Sequence, residues 1–549
     1  MPDNLIPKAA TAYSYPLLIK QLLHTALALH AEQSIVDRHG LRLSYAGWRE
    51  RVGRLASALQ GLGVGPGSTV AILDWDSHRY LEAYFAVPMM GATMFTVNIR
   101  LSPGQIAYTL ADAQPAVILV HVDFAPVIEP LLAQLPCRPY VVLMRDSAQQ
   151  PRPDLAVDGE YEALLAAASP DYAFPDFDEN TRAAVFYTTG TTGDPKGVCY
   201  SHRQIVLHAL VASVTLCSPR DGQRLHAQDV YMPITPMFHV LAWGIPFIAV
   251  MLGLKIVLPG RYLPEALLDL RQREGVTFSH CVPTILQMVL DLAEARDAAL
   301  GGWKIVIGGS ALPTALCKAA VERGIDVFAG YGMSETGPIV ALAQIGAGIA
   351  DGDAELAIRA STGRPVPMVD FRVVDRAMRD VPRDGLSQGE IVLRAPFLTQ
   401  GYLHRPAESE ELWRDGYLHT QDIAVVRSDG YVQIVDRLKD VIKTGGEWVS
   451  SIEIERMIAE IPGVREVAVI GIPDAKWGER PVAYVVHRPD VTITVDAVRD
   501  CLLAHVASNR VAKYAVPERS HILFVEQIPK TSVGKLNKKQ LREWAEAKA

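Results

Sequence analysis

The stretch of sequence that decides the fold runs Tyr187-Thr188-Thr189-Gly190-Thr191-Thr192-Gly193-Asp194-Pro195-Lys196-Gly197-Val198. An apolar run, Ala183-Ala184-Val185-Phe186, precedes it and predicts a short buried strand. The loop therefore leaves a sheet edge, where phosphate-binding loops usually lie. Its threonines offer hydroxyl donors, its glycines let backbone N–H groups approach an anion, and Lys196 adds a positive charge. A polar turn would use the same residue types, but this density of donors exceeds what a turn needs, so the stretch predicts a phosphate site.

The spacing within this stretch argues against a P-loop NTPase. A Walker loop ends in Gly-Lys followed by Ser or Thr. The only Gly-Lys pair in the chain is Gly534-Lys535, and Leu536 follows it. The sequence therefore does not predict a P-loop NTPase.

Composition limits the partners and the cellular location. A chain of 549 residues with 49% apolar and 21% charged residues predicts two or three globular domains. The net charge of −8 argues against nucleic acid as a partner and favours small molecules. The six cysteines lack paired spacing, so neither a disulfide framework nor a zinc site is predicted. With no signal sequence at the N-terminus and too short an apolar run at 245–254 to span a bilayer, we expect a cytoplasmic protein that can touch a membrane surface.

Apolar patterns along the chain predict an α/β fold. Residues 15–62 have helical spacing and predict surface helices, whereas residues 145–181 are rich in Pro, Asp, Ala and Ser and predict a surface connection. Between these segments, buried strands at 69–73 and 116–120 flank a helix at 81–90. Strands that alternate with helices indicate layers built on parallel sheets.

Two later stretches share one pattern of strand, glycine-rich turn and helix start. The first is Lys304-Ile305-Val306-Ile307-Gly308-Gly309-Ser310-Ala311, and the second is Val327-Phe328-Ala329-Gly330-Tyr331-Gly332-Met333-Ser334-Glu335-Thr336-Gly337. Glycines beside an aromatic ring suit a flat base lying between the backbone and Tyr331. Glu335 is the candidate Mg²⁺ ligand because a carboxylate is a hard oxygen ligand, and Thr336 is a candidate donor to the α-phosphate.

A third stretch, Met237-Phe238-His239-Val240-Leu241-Ala242-Trp243, combines a histidine with aromatic residues. A buried histidine beside aromatics is often only a core residue. The very apolar segments 244–258 and 275–284, however, are suited to wall a tunnel for an acyl chain. We therefore predict a site role for His239.

The last third of the chain predicts two smaller units. Short alternating runs at 370–374 and 389–394 predict a β-rich subdomain that ends near Asp422, and residues 441–549 suit a small α+β domain. Between them, residues 436–448 are dense in charge and then in glycine. Composition alone would make this segment a solvated face.

Taken in order, these motifs resemble those of the adenylate-forming superfamily of acyl-CoA synthetases, luciferases and peptide-synthetase adenylation domains. The resemblance covers nearly the whole chain, and Gly445-Gly446-Glu447-Trp448 points to the fatty acyl-CoA branch. The family's Thr-Gly-Asp reads Thr-Gln-Asp at Thr420-Gln421-Asp422, and its closing Pro-Lys-Thr-x-x-Gly-Lys is matched through Lys535.

The resemblance implies a set of site residues. Those implied for ATP and AMP are Thr188, Thr189, Gly190, Thr191, Thr192, Gly193, Lys196, Gly309, Ser310, Ala311, Tyr331, Gly332, Met333, Ser334, Thr336, Asp422, Arg437 and Lys535. Asp422 would accept the ribose hydroxyls, and Lys535 would bridge the carboxylate substrate and the α-phosphate. The catalytic residues implied are Lys535, Thr188, Glu335 and Lys443, and Glu335 and Thr188 would also bind the metal. His239 and Trp243 would border the acyl group, Lys439 would be the hinge, and Gly445, Gly446, Glu447 and Trp448 would approach the CoA thiol.

The fold implied is α/β. A large N-terminal domain, residues 1–436, would combine layered α/β subdomains with a small β-rich subdomain. A small mobile α+β domain, residues 437–549, would follow.

The expected activity is that of a fatty acyl-CoA synthetase. A carboxylate would react with ATP and Mg²⁺ to give acyl-AMP and pyrophosphate, and CoA would then displace AMP. A medium- to long-chain fatty acid is the expected substrate, while short, aryl and sulfur-containing acids stay open. Two other readings also stay open: an enzyme that passes the acyl-adenylate to a carrier protein or to oxidation, and a catalytically silent sensor. A homodimer and peripheral membrane contact are compatible with the sequence without being required by it.

Overall fold

The computed structural model describes residues 6–147, 149–188, 194–218, 223–346, 352–444, 447–488, 491–508, 511–531 and 536–547. Several predicted site residues therefore lie outside the described residues: Thr189, Gly190, Thr191, Thr192, Gly193, Gly445, Gly446 and Lys535.

The first part of the chain begins with two helices and two short strands and then builds a seven-stranded sheet. The opening elements are α1 (Leu23–Leu29), β1 (Ser34–Asp37), β2 (Arg42–Ser44) and α2 (Tyr45–Gly61). The sheet strands are β3 (Thr69–Leu73), β4 (Thr93–Thr96), β5 (Val117–His121), β6 (Tyr140–Met144), β7 (Gly159–Glu160), β8 (Arg182–Thr188) and β9 (Lys196–Ser201). The intervening helices are α3 (His78–Met89), α4 (Pro103–Ala113), α5 (Ala125–Leu132) and α6 (Tyr161–Ala167). The strand order is β7-β6-β5-β3-β4-β8-β9, and the pairs are parallel except for the antiparallel hairpin β8–β9.

The second part adds a nine-stranded sheet. Its new strands are β10 (Val230–Pro233), β11 (Lys255–Leu258), β12 (Phe278–Cys281), β13 (Lys304–Ile307), β14 (Asp326–Tyr331), β15 (Ala341–Leu342) and β16 (Arg364–Pro365). The helical segments are α7 (His202–Cys217), α8 (Val240–Trp243), α9 (Ile245–Met251), α10 (Pro264–Glu274), α11 (Pro283–Ala295), α12 (Thr314–Glu322) and α13 (Asp353–Arg359). The order is β16-β15-β14-β13-β12-β10-β11-β1-β2, with a parallel centre and antiparallel edges.

Helix α3 lies between these two sheets. It contacts β4 and β8 of the first sheet and β1 of the second. All twelve of its residues are buried, as expected for a helix covered on both sides. Its Tyr84 ring stacks on Phe247 of α9, with ring centroids 5.4 Å apart.

Two antiparallel sheets complete the fold. The first contains β17 (Asp370–Val374), β18 (Gly389–Arg394), β19 (Trp413–Arg414), β20 (Tyr417–Val426) and β21 (Val432–Arg437), with α14 (Pro406–Leu412). The second contains β22 (Ile442–Thr444), β23 (Glu447–Val449), β24 (Val464–Asp474), β25 (Gly478–His487) and β26 (Ile522–Phe524), of which β26 pairs in parallel with β25. Helices α15 (Ser451–Ala459), α16 (Val495–Ala507) and α17 (Lys538–Glu546) accompany it. The α/β architecture predicted from the sequence, with its β-rich subdomain and C-terminal α+β unit, is thus confirmed.

Two predictions about local structure were wrong. The segment 15–62 contains the strands β1 and β2 between its helices, and β1 pairs with the distant β11. The segment 145–181 is more than a surface connection, because α6 buries Tyr161 and Leu165. The Tyr161 hydroxyl donates to Glu82 of α3 over 2.6 Å, a long-range contact that local composition does not reveal.

Candidate functional site

The β8–β9 hairpin carries the predicted phosphate site. Thr188 ends β8 and faces Lys196, the first residue of β9, across the hairpin. The Lys196 ammonium lies 5.0 Å from the centroid of the Tyr402 ring, a cation–π distance. The backbone amide of Leu403, the residue after Tyr402, donates to Gly197 over 2.7 Å. The segment around Tyr402 therefore braces the base of the hairpin.

Tyr402 also joins the hairpin to Glu335. Its hydroxyl donates to Glu335 Oε1 over 2.8 Å, and Glu335 is buried. Burial and the nearby carboxylate raise the pKa of Tyr402 above its ordinary value, so it stays a neutral donor. Among the described residues, no group of three or more His, Cys, Asp or Glu side chains is arranged to hold a metal ion. The donor set fits Mg²⁺ held by one carboxylate and completed by substrate phosphates and water.

The turn that carries Glu335 is held from several sides. Ser334–Thr336 forms one 3₁₀ turn, and the Tyr200 hydroxyl donates to the carbonyl of Ser334 over 2.8 Å. The Thr336 hydroxyl accepts a hydrogen bond from Met333 N over 2.9 Å and donates one to the carbonyl of Pro338 over 2.7 Å. Because this hydroxyl is buried inside the turn, the α-phosphate contact predicted for Thr336 requires it to leave Pro338.

Asp422 lies at the centre of the predicted ribose corner. Its Oδ2 accepts from the Tyr331 hydroxyl over 2.7 Å, and its Oδ1 accepts from Arg437 Nε over 3.1 Å. Asp422 and Arg437 face each other across β20 and β21. Gln421 stands where the family has a glycine, and its φ is +60°. The left-handed conformation that the glycine would supply is therefore kept by this side-chain-bearing residue.

The predicted base-binding turns lie at one sheet edge. Because β13 and β14 are parallel neighbours, their carboxyl ends lie side by side, the usual position of ligands in α/β sheets. Gly309 follows β13 with φ of +82°, and Ser310 and Ala311 are exposed. Gly332 follows β14 at a point where an added Cβ would lie 1.4 Å from the carbonyl oxygen of Pro338. Only glycine fits there.

Three side chains from the first sheet layer hold the backbone just before His239. Asp76 Oδ1 accepts from Met237 N over 2.9 Å, and Thr96 Oγ1 donates to the carbonyl of Phe238 over 3.0 Å. The Tyr84 hydroxyl donates to the carbonyl of Met237. Burial raises the pKa of Asp76, and its hydrogen bonds lower it. The net result is a pKa of about 7. Sequence reasoning missed these anchors because they come from strands and helices more than a hundred residues away.

The segment after His239 is a single turn of left-handed helix, α8. Val240, Leu241, Ala242 and Trp243 have φ of 49°, 53°, 47° and 60°. For L-residues this conformation costs about 1–2 kcal/mol each, so the surrounding contacts must impose it. All four residues are buried. Strain of this kind is found at ligand sites.

The Trp243 ring closes one side of this turn. It lies 4.9 Å from the His280 ring of β12, and a Cβ added at Gly308 would lie 2.8 Å from it. The segment 275–284, predicted as a tunnel wall, therefore approaches the site through His280. Burial lowers the pKa of His280 to about 3.

A small cavity lies on the other side of the turn. Its volume is about 10 Å³, close to what one water molecule needs. The lining side chains come from β8, β9, α7, α8 and α9, and the residues are Phe186, Tyr200, Gln204, Ile205, His208, Val240, Leu241, Gly244, Phe247 and Gly337. The cavity thus touches the residue after His239 and the residue after Thr336. Only the first part of the predicted wall 244–258 borders it.

The predicted hinge lies in a network of charges. Burial and the neighbouring Arg437 lower the pKa of Lys439 to about 8. On its two sides, Asp436 Oδ2 accepts from Ser451 Oγ over 2.7 Å, and Asp440 pairs with Arg542 of α17 over 2.7 Å. Lys538, also on α17, lies 2.7 Å from Glu455. Lys443 lies in β22 and is exposed, and its backbone N–H donates to Glu479 over 2.7 Å.

Comparison with known proteins identifies the family of the chain. The profile of the AMP-binding enzyme family matches residues 23–403, and that of the AMP-binding enzyme C-terminal domain matches residues 453–535. The chain is 40% identical to a long-chain-fatty-acid–CoA ligase of Thermus thermophilus over 97% of this chain and 96% of the relative. It is 37% identical to a 3-methylmercaptopropionyl-CoA ligase of Ruegeria pomeroyi over 96% and 97%. Among solved structures, the anthranilate CoA ligase AuaEII in complex with anthranoyl-AMP superimposes with a TM-score of 0.84, at 25% identity, over 96% of this chain and 98% of that one.

These matches span both the large N-terminal region and the C-terminal region, and they agree with the order of motifs read from the sequence. The chain therefore belongs to the AMP-binding enzyme family of the adenylate-forming superfamily and is an AMP-forming acid–thiol ligase that uses ATP, Mg²⁺ and CoA.

Proposed function

We propose that this ligase activates an aliphatic, medium- to long-chain fatty acid. The observation that carries this proposal is the 40% identity to a long-chain-fatty-acid–CoA ligase over 97% of the chain. The cavity between α7 and α8, beside Gly337 and Val240, has a mostly apolar lining. A carboxylate placed there would have its chain among apolar side chains and its head group toward Glu335, Lys196 and the phosphate hairpin. Ligand sites of this kind combine an apolar wall with a few polar groups that set orientation.

The chemistry follows from charge. A carboxylate is a poor electrophile, so AMP is attached first and pyrophosphate leaves. Lys196 and Lys535 would offset the negative charge that develops on the phosphoryl oxygens, Glu335 with Thr188 would hold Mg²⁺, and Asp422 with Arg437 would fix the ribose. Binding geometry can supply much of the rate without a protein nucleophile.

Chain length depends on Trp243 in this proposal. The cavity of about 10 Å³ is too small for a long acyl chain, and the Trp243 ring fills the space between α8, Gly308 and His280. A long chain therefore needs further space, which movement of this ring would open on the other side of α8. We infer that His239 borders the reacting carboxylate and that Trp243 gates the chain.

A short acid is the second candidate, and the small cavity favours it. A relative at 37% identity is named a 3-methylmercaptopropionyl-CoA ligase, so a short sulfur-containing acid belongs in any test. An aryl acid stays a third substrate class.

The organisation of the chain is part of the proposal. We infer a boundary at residue 436, a hinge at Lys439, and a CoA channel beside Lys443 and residues 445–448. All six cysteines are free thiols, which supports a reducing, cytoplasmic location. Among the described helices, none is both long and apolar enough to cross a membrane. We also propose that the protein forms a homodimer and contacts membranes peripherally. Its molecular mass in solution tests the first proposal, and binding to vesicles tests the second.

The decisive experiment is release of pyrophosphate from ATP across a panel of carboxylates, with and without CoA. We expect the highest kcat/KM for a medium- to long-chain aliphatic acid, and AMP and acyl-CoA in equal amounts when CoA is present. The highest kcat/KM for a short acid would favour the second candidate. Pyrophosphate release without turnover of free CoA would favour carrier-protein loading. No release with any acid would favour a silent sensor and contradict the proposed function.

A further inference from the structure

His208 contributes a polar atom to the wall of the apolar cavity. It lies in the middle of α7 and is buried. Its Nε2 accepts a hydrogen bond from Ile339 N over 3.2 Å, and its ring packs edge-on against Phe397, with centroids 5.4 Å apart. These contacts fix the orientation of the ring.

The fixed orientation places Nδ1 beside Gly244. A Cβ added at Gly244 would lie 2.8 Å from this atom, and both residues line the cavity. Among the residues that the structure describes, none forms a hydrogen bond with His208 Nδ1. The other polar side chains of the wall are engaged, since the Tyr200 hydroxyl donates to Ser334 and the Gln204 amide donates to Leu398.

The hydrogen on the ring is on Nδ1. Because Nε2 accepts from a backbone amide, the neutral imidazole must carry its proton on the other nitrogen. Burial lowers the pKa of His208 to about 4, so the ring is neutral near pH 7. The cavity therefore contains one fixed N–H donor in a wall that is otherwise mostly apolar.

We propose that the Nδ1–H of His208 is a specificity determinant, which favours acyl chains that carry a hydrogen-bond acceptor atom over plain hydrocarbon chains of the same length. This inference rests on the proposed function in one respect, namely that the cavity receives the acyl chain. The ligand class is a carboxylic acid with an ether, keto or comparable acceptor along its chain. A thioether would be a weaker member of the class, because sulfur accepts hydrogen bonds poorly.

The discrimination arises from the cost of an unmade hydrogen bond. A hydrocarbon chain that displaces water from the cavity leaves the N–H without a partner, whereas an acceptor atom at the right position replaces that water. Sites that are built to bind a polar group reject analogues that lack it far more strongly than they discriminate single methylenes. The cavity has room for one water molecule, so the competing possibility is that a retained water satisfies Nδ1 permanently.

The test compares matched acids in the full-length enzyme. Each plain fatty acid is paired with analogues of equal chain length that have one methylene replaced by an ether oxygen, a ketone or a thioether at successive positions, and kcat/KM is measured from pyrophosphate release with CoA. For at least one position, we expect the ratio of acceptor to plain acid to fall by about tenfold or more in His208→Phe. His208→Met, which also removes the donor, should give the same fall. His208→Gln, which can accept from Ile339 and still donate to the cavity, should keep the ratio.

A control variant separates hydrogen bonding from shape. Ile205→Val changes the same helix and the same cavity wall without a polar group, so it should shift both members of each pair alike. The inference is overturned if wild type and His208→Phe show the same ratios at every position, as a retained water would produce. Loss of the proposed function looks different, because then no acid of either kind would yield AMP and a thioester.

Discussion

At the scale of single residues, Gln421 keeps a backbone conformation that favours glycine although the glycine of the family pattern is absent. Gln421 is exposed and has φ of +60° beside the ribose corner. Gln421→Gly should stabilise the protein by about 1 kcal/mol, because glycine adopts this conformation without a steric cost. Thermal unfolding measures the change. The matched control is Gln433→Gly in the neighbouring strand β21, which should destabilise because glycine weakens a strand interior. Equal destabilisation by both changes would contradict the interpretation.

Glu335 is the residue on which the metal assignment depends. Glu335→Gln keeps an oxygen ligand and the Tyr402 contact but loses the charge that holds a hard cation. We expect pyrophosphate release to need a several-fold higher Mg²⁺ concentration for half-maximal rate. The control is Tyr402→Phe, which keeps the ring under Lys196 and the Glu335 charge. An unchanged Mg²⁺ requirement in Glu335→Gln would remove Glu335 from the metal site.

Asp76 predicts a specific dependence of stability on pH. Its pKa in the folded protein is about 7 and exceeds the ordinary value of 3.8. At a pH between these two values, the Asp76 carboxyl group is therefore protonated to a greater extent in the folded state than in the unfolded state. The free energy of unfolding should therefore fall as pH rises from about 4 to about 7. Asp76→Asn should lack this contribution. Denaturant unfolding of both proteins across this range gives the difference, and parallel curves would show that Asp76 does not titrate as inferred.

At the scale of elements, we propose that the left-handed turn α8 and the Trp243 ring set the preferred length of the acyl chain. Trp243→Ala should shift the preference toward longer acids, because each buried methylene is worth about 0.8 kcal/mol and the opened wall would change discrimination several-fold per two carbons. The measurement is kcat/KM against a series of saturated acids. The control is Trp477→Ala, since Trp477 is 44% exposed and precedes β25 in the C-terminal part of the chain. The same chain-length profile in wild type and Trp243→Ala would exclude a gating role.

At the scale of the whole molecule, the two half-reactions should need different poses of the C-terminal domain. Lys535→Ala should abolish acyl-adenylate formation yet leave conversion of supplied acyl-AMP to acyl-CoA largely intact. Gly446→Leu should do the reverse by obstructing the thiol, and Lys439→Pro, which fixes φ at the pivot, should damage one step far more than the other. Lys530→Ala is the control, because Lys530 lies in the same terminal motif and pairs with Glu466 over 2.7 Å. If each of the three variants slows both steps equally, one static site performs all the chemistry.

The contacts around Lys439 suit such a rotation. Asp436 precedes the pivot and binds Ser451, which follows it, so a turn at Lys439 must break this contact. Asp440 and its partner Arg542 both follow the pivot and would move together. Hinges typically confine the change to a few residues in this way.

Much of the fold could be predicted because its central strands are short and buried. The runs that became β3, β5, β13 and β14 are mostly apolar, and burial on both faces gives a strand a nearly continuous apolar run in place of an alternating pattern. The strands β1 and β2 could not be predicted in the same way. The partner β11 of β1 lies more than two hundred residues away, and β2 pairs with β1 at the edge of the same sheet. A strand that depends on a distant neighbour leaves little local signal.

The sequence by itself determined the class of chemistry, because the residues predicted to contact phosphate, metal and ribose come from short segments whose spacing is local. Thr188 and Lys196 face each other as ends of one hairpin, and Asp422 and Arg437 as neighbours across another. Only the tertiary structure decided the arrangement of the proposed acyl side of the site. The anchors Asp76, Tyr84 and Thr96, the strained turn α8 and the Nδ1 of His208 meet from separate layers of the fold. Their positions follow from packing between those layers, which no local pattern of residues records.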